Sequence, residues 1–167
     1  MVLTKSELLS SMQNEVRILT HLASKIDRSQ LDYRPTAKQR STLELLKYMS
    51  IMGPQLVQAA KRGGFDPAIW TAAEKQAEAR DFDQTLAAIQ GQHDEYAALM
   101  ADWSDGDFRA EMDAFGSKTT KGAFLVWLVL GGHAAYRTQL FNYLKACGRD
   151  ELSTMNLWGG ADPPPAS

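Results

Sequence analysis

The 167-residue sequence predicts an all-α protein organised as a four-helix bundle. Four long segments carry apolar residues at separations of three and four, which places those residues on one face of a helix. No segment shows the alternation of apolar and polar residues that is typical of a half-buried strand. Residues 123–130 are entirely apolar and predict the most buried helix of the bundle.

The same periodicity predicts where each helix begins and ends. The predicted ranges are 4–26, 41–62, 67–79 (a short extra helix), 81–103 and 119–146. Ser41 and Glu44 have the spacing of a capping box at the start of the second long helix. Pro35 predicts a structured linker before that helix, and Pro54 predicts a kink within it rather than its end.

The segments between and after the helices lack this periodicity. Residues 108–116 predict an irregular connection or a short hairpin. We expect residues 1–150 to form the bundle and residues 151–167, which are rich in proline and glycine, to form an irregular C-terminal tail. The tail contains two adjacent large apolar residues, Leu157 and Trp158. Their side chains could pack on the bundle of the same chain or on a second copy of the chain.

Composition excludes several functional classes. A formal net charge of −2 and a pI near 5.9 provide no field to hold a polyanion, so nucleic-acid binding is not expected. The longest apolar stretch is well short of the roughly 20 residues of a membrane span, so no membrane partner is expected. A single cysteine, Cys147, cannot form an internal disulfide, and the first residues lack the apolar core of an export signal. These features predict a cytoplasmic protein.

The three histidines do not have the spacing of metal ligands. The position of each one relative to the apolar stripe of its helix predicts whether its side chain is buried or exposed. His21 lies opposite the apolar stripe of the first helix, and this position predicts that its side chain is exposed to solvent. His93 follows Ile89 by four residues, which predicts a place on the apolar face of its helix. His93 is then either a hydrogen-bonded core histidine or a base or ligand that lines a pocket. His133 follows two glycines, where close approach to the backbone is possible.

Tyr48 and Tyr136 lie in apolar surroundings on the second and last long helices. Either tyrosine alone is consistent with an ordinary core residue whose hydroxyl finds a partner. Arg137 and Gln139, near the level of Tyr136, add polar groups to what could be one pocket. The sequence assigns no catalytic residue.

Two motifs carry a resemblance to a known family. The run LDYRP at residues 31–35 precedes STLELLKY at residues 41–48, and YRTQL at residues 136–140 precedes YLK and Gly148. The chain resembles the DinB/YfiT-like superfamily, in which a Y-R-P loop leads into S-x-x-E-L-L-x-H and the last long helix reads H-R-G-Q-L…Y-L-K-x-x-G. The likeness extends from the first helix to residue 148.

This resemblance implies an up-down-down-up four-helix bundle, commonly a homodimer. Family members with three histidines bind a divalent metal, and several are thiol S-transferases or isomerases that use a low-molecular-weight thiol. The three family ligand positions fall here on Tyr48, Gly132 and Tyr136, and none of them is a histidine. A phenol of pKa about 10 is a poor ligand, and glycine offers no side chain.

Two hypotheses follow for the function. The first is a bundle without metal or other cofactor that binds a small molecule or a partner in the family pocket, without assigned catalysis. The pocket would be lined by Tyr48, His93, His133 and Tyr136. The alternative is a metal-dependent thiol S-transferase or hydrolase with a rearranged site, in which His93 and His133 act as acid–base groups or bind zinc or nickel.

Overall fold

The computed structural model describes residues 3–164, and its long helices confirm the predicted mostly α-helical bundle. The elements are α1 (Lys5–Ala23), α2 (Thr42–Arg62), α3 (Pro67–Glu78), α4 (Phe82–Leu99), β1 (Glu111–Ala114), β2 (Ser117–Thr120), α5 (Lys121–Phe124) and α6 (Gly131–Ala146). A π-helical segment, Leu125–Leu130, joins α5 to α6, so residues 121–146 form one continuous last helix. Short 3-10 turns occupy Arg28–Gln30 and Asp107–Arg109.

Hydrogen bonds at one end of the bundle establish the helix directions. Lys5, at the start of α1, donates to the carbonyl of Trp103 just beyond α4 (2.8 Å). Lys61, at the end of α2, donates to the carbonyl of Leu99 at the end of α4 (3.3 Å). Lys121, at the start of the last helix, donates to the carbonyl of Lys61 (3.4 Å). The starts of α1 and the last helix thus meet the ends of α2 and α4, which is the up-down-down-up order.

The chain builds these helices with strong local signals. Ser41 and Glu44 form the predicted capping box: the Glu44 carboxylate accepts from the Ser41 N–H (2.7 Å), and the Ser41 hydroxyl accepts from the Glu44 N–H (3.3 Å). α2 continues through Pro54, as predicted, and ends at Gly63, whose φ of +88° is the left-handed conformation of many helix ends. No helix among residues 3–164 is long and apolar enough to cross a membrane.

The core between the four long helices consists of two clusters of buried apolar side chains. The first is built around Met12, Met52, Tyr96, Phe124 and Val129. The second is built around Leu19, Leu45, Met49, Ile89 and Leu140. α1 and α2 each pack against α4 and the last helix, so the clusters fill the centre along the whole bundle.

The connection after α4 contains a β-hairpin, one of the two alternatives that the sequence left open. β1 and β2 pair antiparallel, and Ala114 lies opposite Ser117 across a two-residue turn. Both turn residues have positive φ, +56° at Phe115 and +85° at Gly116, as a type I′ turn requires. The Asp113 N–H donates to the carbonyl of Gly63 (3.1 Å), which docks the hairpin on the end of α2.

The described part of the tail contains one short helical turn in an otherwise irregular segment. Met155–Gly159 form a π-helical turn that packs on α1 of the same chain. Arg17 donates to the carbonyls of Gly159 (2.9 Å) and Gly160 (3.1 Å). Residues 165–167, at the end of the proline run, lie outside the described residues.

The tail also corrects the prediction of a solvated His21. The His21 side chain is only 16% exposed, and its Nε2 accepts from the Asn156 amide (3.1 Å). The spacing of residues along α1 shows correctly that His21 is turned away from the bundle core. It does not show that the C-terminal tail folds back and covers this outer face of α1.

Candidate functional site

The three positions that match the family ligands converge in space. Tyr48 on α2 and Tyr136 on α6 pack edge to face with ring centroids 4.9 Å apart. Gly132, one turn before Tyr136, faces Met52: a Cβ added at Gly132 would lie 2.8 Å from the Met52 sulfur. The structure therefore brings together two phenols and a thioether where the family resemblance implies a metal.

These positions line a cavity of about 390 Å³ between α2, α3, the hairpin and the last helix. Six aromatic side chains surround it: Tyr48, Phe65, Trp70, Phe115, Trp127 and Tyr136. Phe65 and Trp70 come from the end of the α2–α3 connection and from α3, and Phe115 comes from the hairpin tip. The cavity is thus assembled from segments that are distant in sequence.

The aromatic rings form a nearly continuous wall. Tyr48 contacts Trp70 (centroids 5.9 Å apart), Trp70 contacts Phe65 (5.6 Å), and Phe65 contacts Phe115 (5.1 Å). The rings are tilted by 46–60° to one another, so both faces and edges are available to a bound molecule. Phe115 (57% exposed) and Trp127 (63% exposed) lie at the solvent-facing mouth.

No charged side chain lines the cavity among the described residues. Burial raises the pKa of the Tyr48 phenol, and the adjacent Tyr136 hydroxyl raises it further, so Tyr48 is neutral at physiological pH. On the outer side, the Arg40 guanidinium lies over the Tyr48 ring, 4.0 Å from its centroid. A second cleft, of about 490 Å³, lies on the other side of Tyr48 and contains the charged side chains of Arg40, Glu44, Lys47, Glu74 and Glu78.

His133 is fully buried at the bundle centre rather than in this cavity. Its Nε2 lies 2.7 Å from the Tyr96 hydroxyl, which also lies 3.2 Å from the Gln92 side-chain oxygen. The Gln92 amide donates to the carbonyl of Met49 (2.8 Å). Burial, with a smaller contribution from Arg137, lowers the pKa of His133 to about 4, so the imidazole is neutral. Among residues 3–164, its Nδ1 has no hydrogen-bond partner.

His93 does not lie on the buried face of its helix, which corrects the prediction. Its side chain is 56% exposed, and its Nδ1 lies 2.8 Å from the Asp94 carboxylate. The buried stripe of α4 runs through Ile89, Gln92 and Tyr96, so His93 is rotated by about 100° from it. The hypothetical pair of His93 and His133 is therefore not formed.

Arg137 and Gln139 also lie outside the cavity. Arg137 is buried on the α1 side of α6, where its Nε donates to Glu15 (2.7 Å) and its guanidinium contacts the Leu157 carbonyl and the Trp158 ring. Gln139 donates instead to the Tyr143 hydroxyl (2.6 Å). Arg137 follows Tyr136 directly and is therefore turned by about 100° from it, whereas Gln139 lies one turn further along the helix, beyond the cavity.

Sequence reasoning missed most of the cavity wall. Phe65, Trp70 and Phe115 come from short elements without strong periodicity, so nothing local links them to Tyr48. Trp127 was predicted to be buried with its apolar segment, but it is 63% exposed, and Val126 is 43% exposed. One feature of the sequence could have indicated this part of the wall. No charged residue lies between Lys121 and Arg137, so the exposed face of this helical segment is necessarily apolar.

Within residues 3–164, no three His, Cys, Asp or Glu side chains are grouped to hold a metal ion. No protein-family model and no curated protein sequence matches the chain.

Solved structures that share its fold include two DinB-like proteins. One is a DinB-like protein, YjoA, from Bacillus subtilis (22% identity, TM-score 0.68), with 87% of this chain and 94% of that chain covered. The other is a DinB-like protein from Bacillus cereus (13% identity, TM-score 0.71), with 89% and 95% covered. At these identities the likeness shows the fold, and that fold is the one expected from the sequence motifs.

Proposed function

We propose that this protein is a DinB-like bundle that binds a small molecule in the aromatic cavity without a metal ion. The proposal rests on one observation: the positions of the three expected histidines are occupied by Tyr48, Gly132 and Tyr136, and these line an apolar cavity. A catalytic zinc site needs three protein ligands and an open position. Neutral phenols and a glycine do not provide that set.

The dimensions and chemistry of the cavity support ligand binding. Its volume of about 390 Å³ falls within the range of roughly 300–1,000 Å³ typical of small-molecule sites. Its wall is apolar and aromatic, and the Tyr48 and Tyr136 hydroxyls provide a few polar groups that can orient a ligand. We assign binding rather than catalysis to this cavity, because the ionisable side chains that line it among residues 3–164 are the phenols of Tyr48 and Tyr136, and burial keeps the Tyr48 phenol neutral.

We further propose that the protein is a cytoplasmic homodimer. The exposed apolar side chains of Leu3 and Val126, which line a groove at the start of the last helix, support a partner surface, since contiguous apolar patches often mark interfaces. The lone Cys147 is compatible with a reducing compartment.

A cavity-filling variant tests ligand binding. Ala135 lines the cavity, so Ala135→Trp is expected to fill it. We expect a set of small apolar fragments to shift the NMR signals of cavity residues in the wild type and not in Ala135→Trp. Ala98→Trp, on an exposed face of α4, is the matched control and should bind as the wild type does. Equal binding by Ala135→Trp and the wild type would contradict the proposal.

A rearranged metal-dependent transferase or hydrolase is the outcome that would replace this proposal. It would appear as stoichiometric zinc or nickel in the untagged protein. The exposed His93 does not reach His133, so that site would need ligands other than the predicted histidine pair.

A further inference from the structure

The turn at the tip of the hairpin contains a residue that is poorly suited to its backbone conformation. Phe115 has a φ of +56°, and within residues 3–164 every other residue with positive φ is a glycine. The first position of a type I′ turn favours asparagine, aspartate or glycine, and a bulky side chain there is a conformational outlier. Strained residues of this kind concentrate at ligand clamps and active sites.

The strain places an aromatic ring at the mouth of the cavity. The Phe115 ring contacts Phe65 (centroids 5.1 Å apart) and is still 57% exposed. Trp127, 63% exposed, lines the same cavity from the last helix. The two most exposed aromatic side chains of the wall therefore come from different elements and are both open to contact with a bound molecule.

The distribution of charged side chains around the cavity indicates whether its ligand is charged or uncharged. An ion that enters would lose its water and meet no charged side chain in the described wall, which is strongly unfavourable. The Arg40 guanidinium already covers one face of the Tyr48 ring, so this ring offers a second cation less attraction than a free ring would. A planar uncharged molecule instead can stack on the tilted rings and hydrogen-bond to the phenols of Tyr48 and Tyr136.

We propose that Phe115 is a clamp residue that, together with Trp127, contacts an uncharged planar aromatic ligand in this cavity. The inference rests on the proposed function, because it names the ligand class and the contacting residue of the same site. On this proposal the contact of the Phe115 ring with the ligand offsets the conformational cost of phenylalanine at a positive φ.

Three probes with the same fused two-ring framework test the ligand class by calorimetry at pH 7: 2-naphthol (uncharged), 2-naphthoate (anionic) and N-methylquinolinium (cationic). We expect 2-naphthol to bind one per chain, with a Kd at least tenfold below that of either ion. Tighter binding of an ion would overturn the ligand class and leave the proposed function intact. No saturable binding of any probe, together with failure of the fragment test, would overturn both.

Variants of the turn test the clamp. Phe115→Asn suits the backbone and removes the ring, so we expect an unchanged or higher Tm and at least fivefold weaker 2-naphthol binding. Phe115→Tyr keeps the ring and should restore binding. Trp158→Ala removes an aromatic ring of similar exposure (66%, against 57% for Phe115) from the tail and should bind 2-naphthol as the wild type does. A lower Tm with unchanged binding in Phe115→Asn would show a structural role and overturn the clamp.

Discussion

The Tyr96 hydroxyl lies 2.7 Å from the Nε2 of His133, and both side chains are fully buried at the bundle centre, between α4 and the last helix. Gln92 joins this pair and links it to the carbonyl of Met49 on α2. This polar network connects three of the four long helices inside an otherwise apolar core. A buried network of this kind contributes to stability only while its members are paired and uncharged.

The buried imidazole makes stability depend on pH. The folded-state pKa of His133 is lowered to about 4 by burial, against about 6.5 in the unfolded chain. Between these values the unfolded chain binds a proton that the folded chain does not, so stability falls as the pH drops from about 6.5 towards 4. The loss in the free energy of unfolding over this pH range is about 3 kcal/mol.

Urea unfolding of the wild type and of His133→Gln at pH 7, 5.5 and 4.5 measures this effect, because the other titrating groups cancel in the comparison. We expect the free energy of unfolding to fall more steeply with pH in the wild type. His93→Gln, which removes an exposed histidine, is the control for loss of a histidine elsewhere. Parallel pH dependences of the wild type and His133→Gln would contradict the assignment.

The network also requires a glycine on α2. A Cβ at Gly53 would lie 1.7 Å from the Tyr96 hydroxyl oxygen and 3.0 Å from the His133 Nε2. Gly53→Ala should therefore lower the free energy of unfolding by about 1–3 kcal/mol through overpacking. Gly91→Ala is the matched control, because a Cβ there meets nothing within 4 Å and should stabilise α4 by about 0.5–1 kcal/mol. Equal stability of the two variants in urea would refute this account.

A buried ion pair connects the last helix to α1. Arg137 and Glu15 are 2.7 Å apart, with side chains only 3% and 15% exposed, and Arg137 also holds the Leu157 carbonyl of the tail. Arg137→Ala would leave the Glu15 carboxylate without its partner and should cost about 3–5 kcal/mol. It should also speed amide hydrogen exchange in residues 155–160.

The exposed pair of Arg28 and Asp83 provides the comparison, because both side chains are about two-thirds exposed. Arg28→Ala should lower the free energy of unfolding far less than Arg137→Ala does, because solvent screens an exposed pair. If Arg137→Ala lowers the free energy of unfolding as little as Arg28→Ala does, the buried pair contributes no more to stability than an exposed pair.

Much of the fold could be predicted from the sequence because its signals are local. Helix periodicity, the capping box of Ser41 and Glu44 and the glycine after α2 each act within a few residues, so the helix order followed from them. The spatial convergence of Tyr48, Gly132 and Tyr136 came from the family motifs. Periodicity alone would not have related two helices that are so far apart in sequence.

The errors in the candidate site have a common physical cause. On α4, spacings of three and four fit both a stripe through Ile89 and His93 and one through Ile89, Gln92 and Tyr96, and only packing against neighbouring helices selects the second. The wall residues Phe65 and Phe115 are brought to the cavity by tertiary structure. Their role was therefore not visible in any single segment.

The metal content of the untagged protein tests the central claim most directly. After dialysis against zinc or nickel and then against buffer, elemental analysis is predicted to find far less than one metal ion per chain. A variant that combines Tyr48→His, Gly132→His and Tyr136→His with Met52→Ala, which makes room for the new side chains, is the positive control and should retain zinc. One tightly held metal ion per wild-type chain, lost in Tyr48→Phe, would contradict a metal-free cavity.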